Sequence, residues 1–539
     1  MKAIQSKYWT WIILSICIGG IIFIPLLFVL EGFTLSGSTS AEIAEKQRNI
    51  NHLKEYVIPE MIYTTLRMIF GVSFVSLLLG VIPAYLLSNY RFPLSNFLRK
   101  FNILPLTIPT YIMGFVYASI FSVTGTFTKI ALFFFTPEQI FSWDINVITE
   151  GWLMVFLGFS LYPYVYSSCL LHFSEKNKSL DEAASTLGVS PVKRFLSVSL
   201  PLAVPSILGG VSLVVMEVIN DYGAMSYFNV KTFTAGIFQA KQMNFSGSLY
   251  LSALLFVVVT FVFSTLFFIR SIRRVKQSNS GLTQLKFVSR KNGIFFSLIC
   301  FLPFFLGFIV PVFQLVYLAS NNFSALWSSS ILIIFFNALQ IALIAAILIV
   351  FFAVVMHYNR YLNRSKFANF LANVSTLGYA IPGAVIGVSV IAFIYTLDSS
   401  GGWYQWTING LVLLVFAYVI RFFAVGYNTT ESIFNQVSSQ LPDASRTLGK
   451  GALFTFLKVY FPSVRFGLLT TLAVVTIDVL KELPLTLILQ PFNFETLATK
   501  AYKKAKVAES VADAAPYALL LILSGILVTL LFMRSDKKI

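Results

Sequence analysis

Four carboxylates near the ends of two apolar segments are the residues of this sequence best suited to chemistry. Glu217 and Asp221 lie one helical turn apart, and Asp478 and Glu482 repeat the spacing 261 residues later. Side chains four residues apart share one face of a helix, and carboxylate oxygens suit hard cations. The pattern predicts an electrostatic funnel for a cation, without a fixed metal site. Capping of helix ends, with pairing to Lys481 or another base, remains the alternative.

A second pattern combines a carboxylate with small residues and occurs twice, again 261 residues apart. Its members are Glu182, Ala183, Ala184 and Gly188 in the first copy and Asp443, Ala444, Ser445 and Gly449 in the second. Nine residues separate each glycine from a Val-x-Leu-Pro or Val-x-Phe-Pro sequence, so the motifs span 179–201 and 440–462.

Both copies predict a short helix. Ser179 and Glu182 form a capping box that starts the first helix near Leu180, and Gly188 suits the left-handed position that ends it. Apolar and small residues share one face at helical spacing: Leu180, Ala183, Ala184 and Leu187 in one copy, Leu441, Ala444, Ser445 and Leu448 in the other. Such a face fits a groove of another protein. A surface helix resting on the bilayer is the alternative, and the duplication disfavours it.

Other patterns exclude whole classes of site. The three cysteines and three histidines are scattered without metal-ligand spacing, so we expect no zinc site and read Cys17, Cys169 and Cys300 as buried small hydrophobic residues. No G-x-x-x-x-G-K-[ST] phosphate loop occurs. Any ATP hydrolysis on which the chain depends must therefore take place in a separate subunit. We expect this chain to bind no cofactor and to have no enzymatic activity.

The segments that position these residues are built for a membrane. The sequence is 57% hydrophobic and 11% charged, whereas soluble domains average about a quarter charged residues. The net charge of +17 follows from the Lys and Arg that flank membrane helices, not from nucleic-acid binding. The first apolar run is read as a retained anchor helix. The twelve predicted spans are 11–30, 63–87, 103–121, 152–171, 203–219, 250–269, 294–316, 331–356, 374–395, 408–425, 467–480 and 517–533.

The basic residues orient these spans. With the N-terminus inside, cytoplasmic segments hold 26 of the 39 Lys and Arg, which predicts that both termini are cytoplasmic. The segment 481–516 disagrees locally, because its basic 499–506 stretch lies outside. Counting about 1.5 Å per residue from Ala203 places Glu217 deep in its span and Asp221 close to the outer surface. Ionisable groups at membrane depth are costly and usually face a pathway or a partner.

The chain divides into two similar halves, 1–269 and 294–539, joined by the basic linker 270–293. Besides the motifs above, Ile108-Pro109-x-x-x-x-Gly114 recurs as Ile381-Pro382-x-x-x-x-Gly387, 273 residues later. Both copies enter the membrane in the same direction, which defines a parallel repeat. The sequence therefore predicts an all-α integral membrane protein with about twelve helices in two six-helix halves.

The duplicated cytoplasmic motif resembles the ATPase-docking loop of binding-protein-dependent ABC importer permeases. Glu182, Ala183, Ala184, Gly188, Leu200 and Pro201 match that pattern, while the second copy departs from it at Asp443, Ser445 and Phe461. The resemblance implies a type I importer architecture in which each short helix seats in one ATPase subunit, so that two ATPase copies use ATP and Mg. Family membership also implies an extracytoplasmic binding protein and a location in the bacterial plasma membrane.

Two further segments narrow the resemblance to fused ferric-iron permeases. They run from Asp221 to Phe238 and from Lys481 to Ala498. Fused thiamine permeases share the architecture and a similar Lys-x-Leu-Pro segment, so thiamine or another small solute remains an alternative cargo. In the ferric family a soluble binding protein delivers the metal, here to external loops that include 31–60. An ion-coupled secondary transporter would also show twelve spans and a repeat, but it would not need two docking motifs.

Overall fold

The computed structural model describes residues 9–34, 39–174, 184, 186–272, 285–320, 329–363, 365–397, 410–438, 440–507 and 510–535. Within these ranges the chain is helical apart from turns and one short parallel pair of strands, β1 (Tyr90–Arg91) with β2 (Lys286–Phe287). Apolar composition predicts this outcome, because in a bilayer only helices and closed barrels satisfy every backbone polar group.

The first half contains thirteen described α-helices. They are α1 (Trp9–Leu27), α2 (Ser40–His52), α3 (Ile58–Asn89), α4 (Ser95–Phe101), α5 (Thr110–Ile120), α6 (Thr126–Ala131), α7 (Pro137–Ser142), α8 (Glu150–Ser174), α9 (Pro191–Arg194), α10 (Leu200–Asn220), α11 (Gly223–Tyr227), α12 (Phe233–Met243) and α13 (Phe245–Ile272).

The described helices of the second half follow a similar order. They are α14 (Arg290–Phe304), α15 (Val310–Ser320), α16 (Ser329–Asn363), α17 (Lys366–Ser375), α18 (Gly383–Leu397), α19 (Leu411–Gln436), α20 (Gln440–Thr447), α21 (Ala452–Thr455), α22 (Phe461–Lys481), α23 (Pro484–Leu489), α24 (Leu497–Lys506) and α25 (Val511–Ser535).

The number of membrane-spanning segments agrees with the sequence. Among the described residues, ten helices are long and apolar enough to cross a membrane, or up to twelve if each of two bent helix pairs is one span. The fifth and eleventh predicted spans looked short, but they lie inside 30-residue helical segments, Pro191–Asn220 and Ala452–Lys481. A turn of π-helix joins the pieces in each, at Phe195–Ser199 and Phe456–Tyr460.

The third and ninth predicted spans are wrong as continuous helices. The segment Ser95–Thr107 meets Thr110–Ile120 at 93°, and Lys366–Tyr379 meets Gly383–Leu397 at 110°. Both bends fall at the repeated Ile-Pro sequence. Proline lacks an N–H and forces the residue before it out of the helical region, and Ile108 is accordingly extended, with φ −95° and ψ 113°.

Two smaller expectations are also corrected. The external segment 31–60 is not a loop throughout, because Ser40–Asn89 forms a continuous helical segment of 50 residues. Cys169 and Cys300 are buried as expected, but Cys17 is exposed on the apolar surface of α1. Of the predicted linker 270–293, residues 273–284 lie outside the described ranges.

The first span of each half packs against the other half. Helix α1 contacts α16, α17 and α18, while α14 and α15 contact α3, α4 and α5. Hydrogen bonds fix the second exchange, since the Tyr117 hydroxyl donates to the Leu306 carbonyl at 2.6 Å and the Ser297 hydroxyl donates to the Pro93 carbonyl at 2.6 Å. With the first spans exchanged in this way, the bent helix pairs and the carboxylate-bearing helices lie together at the centre of the protein.

Candidate functional site

The first Ile-Pro bend lines a central cavity, and the second bend lies beside Glu217, Asn220 and Arg421, which line the same cavity. After each bend, a half-helix runs back beside the short helix that follows the carboxylates, α5 beside α11 and α18 beside α23. The glycine of each repeated motif permits this approach. A Cβ at Gly114 would lie 3.3 Å from the Phe228 ring, and one at Gly387 would lie 2.7 Å from Ile488 Cγ2. The glycine of the motif therefore allows the half-helix after the bend to pack closely against its neighbour.

The carboxylate-bearing helices both stop at the cavity. Helix α10 ends at Asn220 and α22 ends at Lys481, and the next residue in each is extended. Asp221 Oδ1 accepts a hydrogen bond from the Ala224 N–H at 2.8 Å, and Glu482 Oε1 accepts one from the Leu485 N–H at 3.0 Å. These two carboxylates thus cap α11 and α23 and satisfy orphan N–H groups of each first turn.

The helix end leaves Asp221 inside the protein. The chain leaves the helix after Asn220, and Asp221 is only 5% exposed. The capping role and the pathway role are therefore not exclusive, because the capping carboxylates also line the cavity.

All four predicted carboxylates, Glu217, Asp221, Asp478 and Glu482, line one central cavity of about 150 Å³. Two bases, Arg421 and Lys481, share it. With every group ionised, the acids exceed the bases by two charges. Hydroxyl and amide side chains complete much of the polar lining: Thr110, Tyr111, Ser160, Tyr164, Asn220 and Tyr379.

Arg421 is the residue whose role the sequence did not reveal. It lies in the middle of α19, where its Nε donates to Glu482 Oε2 at 2.9 Å and its NH1 group donates to the Ile381 carbonyl at 3.0 Å. Both ionic side chains are about 5% exposed. A lone arginine inside an apolar run was the available signal, since such a charge almost always has a partner.

Contacts between the halves cross at the cavity. The Lys481 ammonium group donates to the Leu106 carbonyl at 3.3 Å, and Asn220 Oδ1 accepts from the Gly383 N–H at 2.8 Å. Each half thus ends its carboxylate helix on the Ile-Pro bend of the other half. Glu217 instead accepts a hydrogen bond from the Tyr164 hydroxyl of its own half, at 3.1 Å.

The docking motifs leave apolar side chains exposed. In the first copy, Glu182 and Ala183 lie outside the described residues, Ala184 is half-buried and Leu187 is 82% exposed. Gly188 takes φ +74° and its counterpart Gly449 takes φ +75°, the left-handed conformation expected at the helix end.

The second copy forms α20, and its face differs from the predicted stripe. Leu441, Ala444 and Leu448 are exposed, whereas Ser445 points inward and its hydroxyl lies 3.0 Å from the Thr455 hydroxyl. Asp443 accepts a hydrogen bond from the Tyr361 hydroxyl at 2.5 Å. A shift of one residue along a helix turns a side chain by about 100°, which explains why Ser445 leaves the exposed face.

Comparisons with known proteins agree with this arrangement. The chain is 27% identical over 537 residues to the Fe(3+)-transport system permease protein FbpB 2 of Haemophilus influenzae, covering 97% of each chain. Shorter matches include the sulfate transport system permease protein CysT of Escherichia coli, 32% identical over 30% of this chain and 56% of that protein. Another is the putative molybdenum transport system permease protein YvgM of Bacillus subtilis, 27% identical over 29% of this chain and 65% of that protein.

The family model named binding-protein-dependent transport system inner membrane component matches residues 76–277 and again 350–539. One match lies almost entirely in the predicted first half and the other lies in the second, and each includes one docking motif and one carboxylate pair. The chain therefore belongs to this family and is an ABC importer permease with both halves fused in one polypeptide.

Proposed function

We propose that this permease forms the translocation path for ferric iron, which a separate extracytoplasmic binding protein delivers and two separate ATPase subunits drive across the bacterial plasma membrane. The observation that carries the proposal is the convergence of Glu217, Asp221, Asp478 and Glu482 on one cavity. Oxygen-rich acidic walls suit a hard cation. The full-length similarity to a ferric permease supports the same cargo.

An oxyanion is the second candidate cargo, because sulfate and molybdenum permeases match part of the chain. Arg421 and Lys481 are the groups that could attract an anion. Arg421, however, is already bound to Glu482 and to a backbone carbonyl. An anion entering the cavity would face the remaining carboxylates with Lys481 alone as compensation, so charge favours a cation.

Coupling to ATP is assigned to the docking motifs. The exposed Leu187 near one motif's end and the exposed Leu441, Ala444 and Leu448 of the other are suited to grooves in two ATPase subunits. In this mechanism, ATP draws the ATPase subunits together, the docking helices move with them, and the cavity opens outward. Hydrolysis returns it to the inside, and both termini lie in the cytoplasm as the basic residues predict.

The test is transport by the assembled complex in liposomes. Radioactive iron on its binding protein, sulfate, molybdate and thiamine are offered in parallel, with and without ATP inside. ATP-dependent iron uptake that falls in the quadruple amide variant of the four carboxylates, with assembly unchanged, is the expected result. Wild-type uptake by that variant would remove these carboxylates from the path, and uptake that survives without ATP would contradict the importer mechanism.

A further inference from the structure

The bases of the central cavity come from one half only. The repeat places Asn220 where the second half has Lys481, and Ser160 where the second half has Arg421, each 261 residues earlier. Ser160 and Arg421 even perform the same backbone contact, since the Ser160 hydroxyl donates to the Ile108 carbonyl at 3.1 Å and Arg421 donates to the Ile381 carbonyl at 3.0 Å. The carboxylates are thus symmetric between the halves, while the positive charges are not.

The two bases are held very differently. Arg421 is buried and makes an ion pair and a carbonyl contact, so its position is fixed. Lys481 is half-buried and, within the described part of the chain, has a single hydrogen bond, at 3.3 Å to the Leu106 carbonyl. Its ammonium group also interacts electrostatically with Asp478 and Glu217. A flexible four-carbon stem allows such a group to swing away.

Two residues of the first half place buried oxygen atoms without hydrogen-bond partners at the cavity. Asp221 Oδ2 and the Tyr111 hydroxyl are buried, both residues line the cavity, and neither atom has a hydrogen-bond partner among the described residues. Buried polar atoms without partners are uncommon in native proteins and need an explanation. The Thr110 side chain and the Met225 N–H also act on the Asp221 carboxyl group. A cation bound beside Glu217 and Asp221 supplies an explanation, because it would meet two oxygen atoms that lack a hydrogen-bond partner among the described residues.

We propose that Lys481 is a specificity-determining residue of the cation path, whose ammonium group occupies the cation position of the cavity until a cargo cation displaces it. This inference rests on the proposed cation path. A polyvalent ion attracts the same carboxylates more strongly than a single ammonium charge does, so Lys481 yields to it and excludes monovalent ions. The competition also keeps binding weak enough for release, as transport requires.

The experiment measures binding of terbium(III), a hard trivalent ion whose luminescence is excited through nearby tyrosines such as Tyr111, Tyr164 and Tyr379. The full complex in lipid nanodiscs is titrated as wild type, Lys481→Gln, Asn220→Lys and Asp221→Asn. Loss of one nearby like charge in Lys481→Gln should tighten terbium binding by about tenfold or more. Asn220→Lys, which adds an ammonium group at the equivalent first-half position, should weaken it, and Asp221→Asn should lose the cavity signal.

The matched control is Lys231→Gln, which removes the same charge from an exposed ion pair with Glu60 outside the cavity and should leave terbium affinity unchanged. Unchanged affinity in both Lys481→Gln and Asn220→Lys, with the signal lost in Asp221→Asn, would overturn the role of Lys481 while leaving the cation path standing. Wild-type terbium binding and wild-type iron uptake in Asp221→Asn would overturn the path itself. Should Lys481→Gln fail to assemble, Lys481→Met takes its place, and unchanged terbium affinity in that variant would overturn the role of Lys481 in the same way.

Discussion

The two halves contribute the same backbone arrangement to the central cavity but different charged side chains. In both, a helix stops at the cavity, the next carboxylate caps a short helix, and the Ile-Pro bend of the other half accepts or donates a hydrogen bond at the helix end. The first half surrounds this plan with Ser160 and Asn220, whereas the second half has Arg421 and Lys481 at the same positions. The two copies of the repeat thus share the backbone plan of the cavity and differ in its basic residues.

The largest difference between the halves should appear on removal of the fixed base. Arg421→Met leaves Glu482 buried without its partner, which costs about 3–5 kcal/mol. The equivalent change in the first half, Ser160→Ala, removes one neutral hydrogen bond worth about 1 kcal/mol. Thermal unfolding of the purified complex and the amount of assembled permease in the membrane measure both effects.

A double variant sharpens this test. Arg421→Met combined with Glu482→Gln removes the unpaired charge, so assembly should recover in part. Equal losses for Ser160→Ala and Arg421→Met would show that the buried ion pair does not distinguish the halves.

The docking motifs offer the next comparison. Leu187→Asp and Leu448→Asp each place a charge on a side chain that is about 80% exposed, so folding should be unaffected. Burying the charge in an apolar groove of the ATPase subunit is costly, and uptake should fall by roughly tenfold or more, with the larger loss at Leu187 because the first motif fits the docking pattern better. Coupled uptake and ATPase binding are measured together.

Val507→Asp is the control, since Val507 is 77% exposed and lies outside both docking motifs. Full uptake by the Leu187→Asp variant would contradict a docking role for this segment.

Paired amide substitutions compare the two walls directly. Glu217→Gln removes an acid of the first half, whose cavity-lining residues include no base and whose hydrogen-bond donor among the described residues is the Tyr164 hydroxyl. Asp478→Asn removes an acid of the second half, which lies three residues before Lys481 and interacts most with that base. Glu217→Gln should therefore slow iron uptake by several-fold more, since one unit charge near a cation is worth on the order of 1 kcal/mol or more at the effective dielectric of a protein. Initial uptake rates at equal amounts of assembled complex provide the measurement. A larger effect of Asp478→Asn would contradict the placement of the cation beside Glu217 and Asp221.

The smallest effects are expected at two ion pairs outside the cavity. Glu495 binds Lys500 at 2.6 Å and Lys503 at 3.2 Å, which accounts for two basic residues of the 499–506 segment. Partial burial alone would raise the pKa of the Glu495 carboxyl, but the two lysines outweigh it and hold that pKa below its ordinary value. A depressed pKa stabilises the fold above the unfolded-state value, about 4.3, and this stabilisation is lost as pH falls through the folded-state pKa.

Glu495→Gln should therefore reduce stability by up to about 1 kcal/mol at neutral pH and by less in acid. The Lys231–Glu60 pair of the first half is more than half exposed on both sides, so Glu60→Gln should have no measurable effect. Unfolding temperatures at neutral and acid pH compare the two pairs.

Particular residues show how far the sequence could lead. The repeat offset alone identified Glu217, Asp221, Asp478 and Glu482 as one set, because duplicated segments fold alike. It could not find Arg421 as the partner of Glu482, since 61 residues separate them and only packing of α19 against α22 joins them. Nor could it show that Ser445 turns inward, because a stripe of small residues has no marker for its buried edge.

What the sequence by itself determined are the properties that local chemistry fixes: spans long enough for a bilayer, glycines at helix ends, and motifs repeated at constant offsets. The tertiary structure alone decided the angles of the bends at the two Ile-Pro sequences, the exchange of the first spans between halves, and the meeting of acids and bases at the centre. These depend on contacts between segments far apart in the chain, where packing and charge pairing override what each segment would do alone. The sequence identified the four carboxylates as related pairs, and the tertiary structure brought them to one cavity.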